Sequence, residues 1–145
     1  GAQIKWEKEI ITVEKAKEAK GFHTDINDHP DLFPVLVVLA CAASEKSSIQ
    51  GIHRLQNKES DRLAAMCVAL DAWGVKFEIV DDCISIFGNG KLPFAQLRSY
   101  NDHRIAMAIC IASLLSTEGQ EIDELSCLKK SYPGFYEDFL ALSKE

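Results

Sequence analysis

The stretch KESDR at residues 58–62 places two cations beside two acids, where an apolar helix is predicted to begin. Lys58 and Arg62 are unexpected there, because the N–H groups of a first helical turn carry partial positive charge and favour acidic side chains. A phosphate or carboxylate bound between them would explain both, since arginine offers a bidentate fork and lysine a point charge. The stretch therefore predicts a site for an anionic ligand.

Further charged residues lie at comparable turns of the chain. Asp31 and Arg104 stand where a predicted strand passes into a buried helix, and Lys130 opens a later helix. With Lys58 and Arg62, these cations lie near predicted helix N-termini, where unpaired backbone N–H groups already favour anions. Their recurrence at equivalent turns favours one shared pocket, since pockets collect at strand ends in α/β architectures.

Each of these residues also has a purely structural interpretation. Lys58, Arg62 and Lys130 could be solvated surface cations, and Arg62 could pair with a nearby acid such as Glu59. Asp31 could be an ordinary first-turn acid or a helix cap. The residue types alone leave both interpretations open.

An internal repeat organises the elements that carry these residues. The motif Asn-Asp-His occurs at 27–29 and again at 101–103, and each copy precedes an apolar run, 32–43 or 105–115. Both runs are apolar nearly all round, which predicts helices buried on every side. The histidine of each motif could be an ordinary turn residue hydrogen-bonded to backbone.

The segments after these helices follow one order in both copies. A strand-like segment is followed by an amphipathic helix, and alternating residues predict a hairpin after the first copy and another at the start of the chain. The segments are 47–55 and 119–128 for the strands, 63–73 and 135–142 for the helices, and 3–13 and 75–87 for the hairpins. The unit is strand–helix–strand–helix–strand–strand, so we predict an α/β fold of the α+β type.

Composition bounds the function. The 145 residues carry 16 Lys and Arg against 22 Asp and Glu, so the chain lacks the basic field that nucleic acid requires. The longest apolar run, 32–43, is too short to cross a bilayer. Five scattered cysteines without a C-x-x-C pair favour reduced thiols in a reducing compartment. The spacing of His, Cys and Asp fits no metal site.

Four motifs resemble the C-terminal part of the 5-enolpyruvylshikimate-3-phosphate (EPSP) synthase family, also called 3-phosphoshikimate 1-carboxyvinyltransferases. They are NDHPDLFP, KESDRLAAM, NDHRIAMA and KKSYPGFYEDF, in that order, and the resemblance covers almost the whole chain. It implies repeated βαβαββ units of the enolpyruvyl transferase inside-out α/β barrel, with about two of the three units of one globe in residues 1–145. The implied boundaries are about 1–20 for the end of one unit, 21–88 for a full unit and 92–145 for a partial unit.

The resemblance also implies an activity. The family transfers the enolpyruvyl group of phosphoenolpyruvate to the 5-hydroxyl of shikimate 3-phosphate and releases phosphate, in the shikimate pathway of aromatic amino acid biosynthesis. It implies no organic cofactor, no metal, no nucleic-acid or membrane partner, a monomeric parent protein and a cytoplasmic location. The inhibitor glyphosate would occupy the phosphoenolpyruvate place. Because the family's other globe supplies further ligands, we predict that the 145-residue chain alone is inactive.

The resemblance assigns catalytic roles to four positions of this sequence. Asp31 matches the carboxylate that contacts the shikimate hydroxyls and handles the proton of the 5-hydroxyl. Glu59 matches the group that exchanges the proton at the phosphoenolpyruvate methylene carbon. Lys130 matches the residue that holds the leaving phosphate and can act as an acid, and His103 lies beside the phosphoenolpyruvate anion.

The substrate-binding positions follow in the same way. Lys58 would lie beside the attacking hydroxyl, and Arg62 and Arg104 would clamp the phosphoenolpyruvate anion, with Asp31 and Lys130 as further substrate ligands. Two positions depart from the family pattern. Gln56 stands where Lys or Arg is common, and Arg54 stands where some members use an amide on the substrate. 

Two other functions compete with this one. The sister carboxyvinyltransferase that acts on UDP-N-acetylglucosamine shares the fold and also uses phosphoenolpyruvate, but the K-E-S-D-R and D-H-R stretches favour the shikimate enzyme. A non-catalytic phosphate-binding module is the other alternative. Retention of Asp31, Glu59 and Lys130 argues against it.

Overall fold

The strands and helices of the fold follow the order that the sequence predicts. The structure is a computed structural model that describes residues 2–14, 16–56 and 58–142. The strands are β1 Gln3–Glu7, β2 Ile10–Glu14, β3 His23–Asp25, β4 Lys46–Gln50, β5 Lys76–Val80, β6 Cys83–Phe87, β7 Gln96–Leu97 and β8 Glu121–Ile122. The α-helices are α1 Phe33–Ala42, α2 Arg62–Ala72, α3 His103–Ala112 and α4 Phe135–Leu142. Every helix within these described ranges is too short or too polar to cross a bilayer.

One complete unit runs from β3 to β6. Its sheet has the strand order β3-β4-β6-β5, in which β3 and β4 are parallel and the other pairs are antiparallel. Ile49, Ile84 and Ile86 are fully buried in one core with Phe33 and Val37 of α1. The predicted strand–helix–strand–helix–strand–strand order and the mixed α/β fold are therefore confirmed.

A second, partial copy follows, in the order β7, α3, β8, α4. Strands β7 and β8 are parallel, like β3 and β4, and α3 packs against α1 in the shared core. The predicted N-terminal hairpin is also confirmed: β1 pairs with β2 as β5 pairs with β6, with matching lengths and register. The exact boundaries of the repeats stay a prediction.

Two predicted strand segments are shorter than expected. The segment 47–55 leaves the sheet at Gln50 and continues as a 3-10 turn, Ile52–Leu55, because Gly51 turns the chain with a φ of +95°. The segment 119–128 leaves the sheet after Ile122, and a 3-10 turn forms at Ser126–Lys130. Here the Asp123 carboxylate accepts hydrogen bonds from the N–H groups of Ser99 and Glu124, which replace strand pairing.

The prediction that both apolar helices are buried on every side is wrong for α1, whereas no residue of α3 is exposed. Helix α1 packs on the sheet, α2 and α3, but part of its surface is open to solvent. Val35 and Leu39 are therefore about half exposed, and they line an apolar groove of about 280 Å³ together with Ile111 and Leu114. A helix that is apolar all round can be buried on every side, but its sequence does not show which sides pack against another element.

Trp73 ties the two copies together. It is 3% exposed, and its Nε1 donates to Oε1 of Gln120 at 3.0 Å. The same Gln120 oxygen accepts from the N–H of Ala95 at 3.1 Å, and its Nε2 donates to the carbonyl of Pro93 at 2.8 Å. Gln120 thus links Trp73, at the end of α2, to the loop that leads into the second copy.

We expect Trp73→Phe to lower the free energy of unfolding by about 1 kcal/mol, because it removes this hydrogen bond and some buried volume. Chemical denaturation followed by circular dichroism measures the change. Trp6→Phe is the matched control, since Trp6 is 74% exposed and donates to the carbonyl of Lys8 within its own hairpin. Equal losses in the two variants would contradict a role for Trp73 in joining the copies.

Candidate functional site

The site forms where helices α2 and α3 begin and where the 3-10 turns at Pro30–Leu32 and Ser126–Lys130 approach them. Both helices have an aspartate cap. Asp61 accepts from the N–H of Ala64 at 2.9 Å, and Asp102 accepts from the N–H of Arg104 at 2.9 Å. These caps stabilise helix starts that carry arginine in their first turn.

Arg62 is the first residue of α2, and it is almost completely buried, at 2% exposure. Its Nε donates to Oδ2 of Asp102 at 2.8 Å, and its Nη1 donates to Oδ1 of Asp31 at 2.5 Å. Burial of a guanidinium opposes its charge, but the two carboxylates outweigh that penalty and the pKa of Arg62 rises. The suggested pairing of Arg62 with acids next to it in sequence is wrong, because its partners come from other elements.

Asp31 bridges two arginines from different repeats. Its Oδ1 accepts from Arg62, and its Oδ2 lies 2.8 Å from Nη2 of Arg104. Partial burial raises the pKa of the Asp31 carboxyl, but the hydrogen bond from Arg62 and the charges of Arg104, Arg62 and Lys58 outweigh it, so the pKa lies below its ordinary value. Asp31 therefore occupies donors of both arginine side chains.

The cluster has two centres: Asp31 with its two arginines is the first, and Glu59 with His103 and Lys130 is the second. Its Oε2 lies 3.1 Å from Nδ1 of His103 and 3.5 Å from Nζ of Lys130. Lys130 Nζ also donates to the carbonyl of Asn101 at 2.8 Å. A carboxyl group thus lies between an imidazole and an ammonium, which are groups able to exchange protons with it.

The structure brings together all seven residues predicted from the sequence, which are Asp31, Lys58, Glu59, Arg62, His103, Arg104 and Lys130. Two details of their placement are corrected. Lys58 and Glu59 precede α2, which begins at Arg62, and Lys130 ends a 3-10 turn before α4. The cap by Asp61 sets the start of α2, so only Arg62 and Arg104 stand in the first turn of an α-helix. Contact between repeats, more than helix N-terminal charge, assembles the cluster.

Two members of the cluster, Asp102 and Ser60, were not predicted. Asp102 is fully buried, and its Oδ2 accepts from Arg62 and from Oγ of Ser60 at 3.1 Å. Burial raises the pKa of the Asp102 carboxyl, but the hydrogen bonds from Arg62 and from the N–H of Arg104 outweigh it and the pKa is lowered. The available sequence signal was an aspartate directly before an apolar helix, which is a helix-cap pattern.

The balance of charge in the cluster favours an anion. Four cations (Lys58, Arg62, Arg104 and Lys130) face three carboxylates (Asp31, Glu59 and Asp102), a formal net charge of +1 with His103 neutral. Glu59, Asp102 and His103 also hold their potential metal-ligand atoms within 4.8 Å of one another, which the sequence spacing did not predict. The Asp102 and Glu59 carboxylates are already contacted by Arg62 and Lys130, so this set favours ion pairing.

A small cleft opens beside the cluster. It has a volume of about 220 Å³, with Asp31 and Arg104 at its polar edge and Val35, Met107 and Phe135 along its apolar side. Arg104 lines this cleft, and Arg62 contacts Asp31 at its edge. The cleft is large enough for a small molecule with an anionic end beside Arg104.

The two departures from the family pattern lie near one another in the first copy. Arg54 donates from Nη1 to the carbonyl of Asn27 at 2.6 Å, and Gln56 lines a separate cavity with His53 and Asp82. The Arg54 contact repeats that of Lys130, which donates to the carbonyl of Asn101 in the second Asn-Asp-His motif. Arg54 therefore fixes its own turn, as Lys130 does in the other copy.

Comparisons with known proteins agree with this architecture. The sequence model of the EPSP synthase (3-phosphoshikimate 1-carboxyvinyltransferase) family matches residues 1–139. The 3-phosphoshikimate 1-carboxyvinyltransferase of Thermococcus kodakarensis is 40% identical over 142 residues, which cover 98% of this chain and 35% of the relative. That of Pyrococcus furiosus is 39% identical over 144 residues, which cover 99% of this chain and 35% of the relative.

The fold comparison points the same way. The solved structure of EPSP synthase from Acinetobacter baumannii superposes with a TM-score of 0.80 at 28% identity, over 94% of this chain and 34% of that one. The chain thus spans about a third of the length of the curated relatives it matches. On the matched length, the repeat and the fold, the chain belongs to the EPSP synthase (3-phosphoshikimate 1-carboxyvinyltransferase) family.

Proposed function

We propose that this chain supplies one wall of an active site that transfers the enolpyruvyl group of phosphoenolpyruvate to the 5-hydroxyl of shikimate 3-phosphate. The observation that carries the proposal is the pair of arginines on Asp31. Arg62 and Arg104 come from different repeats, yet their guanidinium groups hold the two oxygens of one carboxylate. Such an arrangement fits the carboxylate or phosphate of phosphoenolpyruvate equally well.

Ligand binding changes the contacts and the pKa of Asp31 in this proposal. The phosphoenolpyruvate anion replaces the Asp31 carboxylate on the arginines, and the carboxylate turns to the hydroxyls of shikimate 3-phosphate. Loss of the arginine contacts raises the pKa of Asp31 from its lowered value, which makes it a better base. Lys58, whose charge acts on Asp31 in the free site, orients the same hydroxyl in this proposal.

The second centre supplies the other proton transfers. Addition forms a bond between the 5-oxygen and the substituted carbon of phosphoenolpyruvate, while the methylene carbon gains a proton. Elimination then removes a proton from that methyl group and breaks the bond to phosphate oxygen. In this proposal Glu59 exchanges the carbon-bound proton, and Lys130 and His103, which lie beside it, stabilise the anions and protonate the leaving phosphate.

The setting of the reaction follows from the same features. All five cysteines are free thiols in the structure, which suits a reducing compartment, so we place the protein in the cytoplasm. Its partners in this proposal are the two small-molecule substrates, bound to a monomeric parent protein. The remaining two thirds of the relatives' length would supply the opposite wall of the site.

Phosphate release tests the proposal. We expect a complete protein carrying this sequence to release phosphate from phosphoenolpyruvate when shikimate 3-phosphate is present, and the 145-residue chain alone to release none above background. UDP-N-acetylglucosamine, offered at equal concentration, is the control acceptor. Turnover with that sugar nucleotide and none with shikimate 3-phosphate would assign the sister reaction. If shikimate 3-phosphate and phosphoenolpyruvate both bind but no product forms, the protein is a phosphate-binding module.

A further inference from the structure

Asp102 joins three parts of the candidate site through one buried carboxylate. Its Oδ2 accepts from Arg62 Nε at 2.8 Å and from Ser60 Oγ at 3.1 Å, and its Oδ1 accepts from the N–H of Arg104 at 2.9 Å. The donors belong to the segment before α2, to α2 itself and to α3. The carboxylate has no solvent exposure, so every one of these bonds is made in a dry environment where it is stronger than in water.

The two copies of the Asn-Asp-His motif fold differently. Asp28 occupies the same place as Asp102 in the first Asn-Asp-His motif, and it is exposed. The histidines differ in the same way, since His29 is exposed and His103 is buried. In the first copy a 3-10 turn separates the motif from α1, whereas in the second copy Asp102 caps α3 directly and pairs with Arg62, so the second copy joins its aspartate to a cation of the site.

The turn before Asp102 is strained. Tyr100 and Asn101 have φ values of +52° and +54°, in the left-handed region that non-glycine residues rarely adopt. Asparagine enters this region more readily than other residues, so the strain rests mainly on Tyr100, and strain of this kind collects at functional sites. The Asn101 carbonyl accepts from Lys130, so this one turn holds Lys130, Arg62 and the start of the helix that carries Arg104.

We propose that Asp102 is the positioning residue of the anion site. It holds the Arg62 guanidinium by its Nε edge, and the Nη1 edge is thereby presented to Asp31 and to the anion that replaces it. Asp102 does not itself touch the ligand, which would lie on the far side of the guanidinium. The proposal rests on the proposed function, because it takes phosphoenolpyruvate to bind at Arg62 and Arg104.

The sign of the effect distinguishes positioning from simple electrostatics. Asp102→Asn removes a negative charge, and charge alone would make anion binding tighter. A positioning role has the opposite consequence, because asparagine still accepts from Arg104 N–H but cannot ion-pair with Arg62. We expect Asp102→Asn in the 145-residue chain to bind phosphoenolpyruvate about tenfold more weakly, measured by nuclear magnetic resonance (NMR) titration. The Arg62 Nε–H signal should also lose its protection from solvent exchange.

Asp61→Asn is the matched control. It replaces the aspartate that caps α2, the helix that carries Arg62, and asparagine is an equally good cap. We expect its phosphoenolpyruvate affinity and its Arg62 Nε–H signal to equal those of the unmodified chain. A general loss of helix stability would instead lower both variants alike, and would overturn the inference.

Further outcomes decide the inference. If Asp102→Asn binds as tightly as the unmodified chain or more tightly, Asp102 does not position Arg62. If that variant fails to fold, the unmodified chain decides: Arg62 Nε–H must stay protected when phosphoenolpyruvate binds, and its release would overturn the inference. If the unmodified 145-residue chain binds no phosphoenolpyruvate, Asp102→Asn in a complete protein decides: the KM for phosphoenolpyruvate must rise about tenfold, and an unchanged KM would overturn the inference without touching the proposed function.

Discussion

Arg62→Ala is expected to lower the free energy of unfolding by about 3–5 kcal/mol, the largest effect of any single replacement in this site. Arg62 is buried, and its removal leaves the fully buried carboxylate of Asp102 without an opposite charge. Removing one partner of a buried ion pair lowers the stability strongly, because the other charge stays buried without compensation. Denaturant unfolding of the 145-residue chain measures the change.

Two comparisons sharpen this expectation. Arg54→Ala, at an exposed arginine that donates to a backbone carbonyl, should lower the unfolding free energy by less than about 1 kcal/mol. Adding Asp102→Ala to Arg62→Ala should restore part of the loss, since the stranded charge is then gone. A double variant whose loss equals the sum of the two single losses would contradict the ion pair.

Asp31→Asn is expected to have two effects of opposite sign. Phosphoenolpyruvate should bind the 145-residue chain about tenfold more tightly, because the carboxylate that competes for Arg62 and Arg104 has lost its charge. In a complete protein, the rate of phosphate release should fall by about 10²–10⁴-fold, because the base for the 5-hydroxyl proton is absent. Calorimetry measures the first effect and a phosphate-release assay the second.

The matched control for Asp31 is Asp28→Asn, which changes an exposed aspartate three residues earlier. Neither its affinity for phosphoenolpyruvate nor the rate of phosphate release should change by more than about twofold. Weaker binding by Asp31→Asn would show that the carboxylate supports the arginines and does not compete with the ligand. An unchanged rate of phosphate release would remove Asp31 from the chemistry.

Much of the fold was predictable because the chain repeats itself. Period-two and helical patterns of apolar residues locate the β5–β6 hairpin and α2, and the Asn-Asp-His motifs mark where α1 and α3 follow. The errors came where tertiary contacts decide. The strand predicted at 47–55 stops at Gly51, and Val35 on the apolar α1 stays half exposed, because local pattern does not encode which side of a helix is covered.

The candidate site was also predictable only in part. Residue types and their recurrence predicted Lys58, Arg62, Arg104 and Lys130 as a group, and the resemblance added roles for the acids. The partners of Arg62 were not predictable, because its contacts to Asp31 and Asp102 join residues about 30 to 40 positions apart in the chain. Asp102 was missed because a helix cap and a buried counter-ion look the same in sequence.

The central claim is that cations from successive repeats form one site for one anion. NMR titration of the 145-residue chain with phosphoenolpyruvate tests it most directly, with the Nε–H signals of Arg62 and Arg104 and the Nζ signal of Lys130 followed together. All three should shift along saturable curves with one common Kd, while the Nζ signal of Lys76, on β5, stays unchanged. Shifts that match Lys76 in size, or three different Kd values, would contradict a shared site.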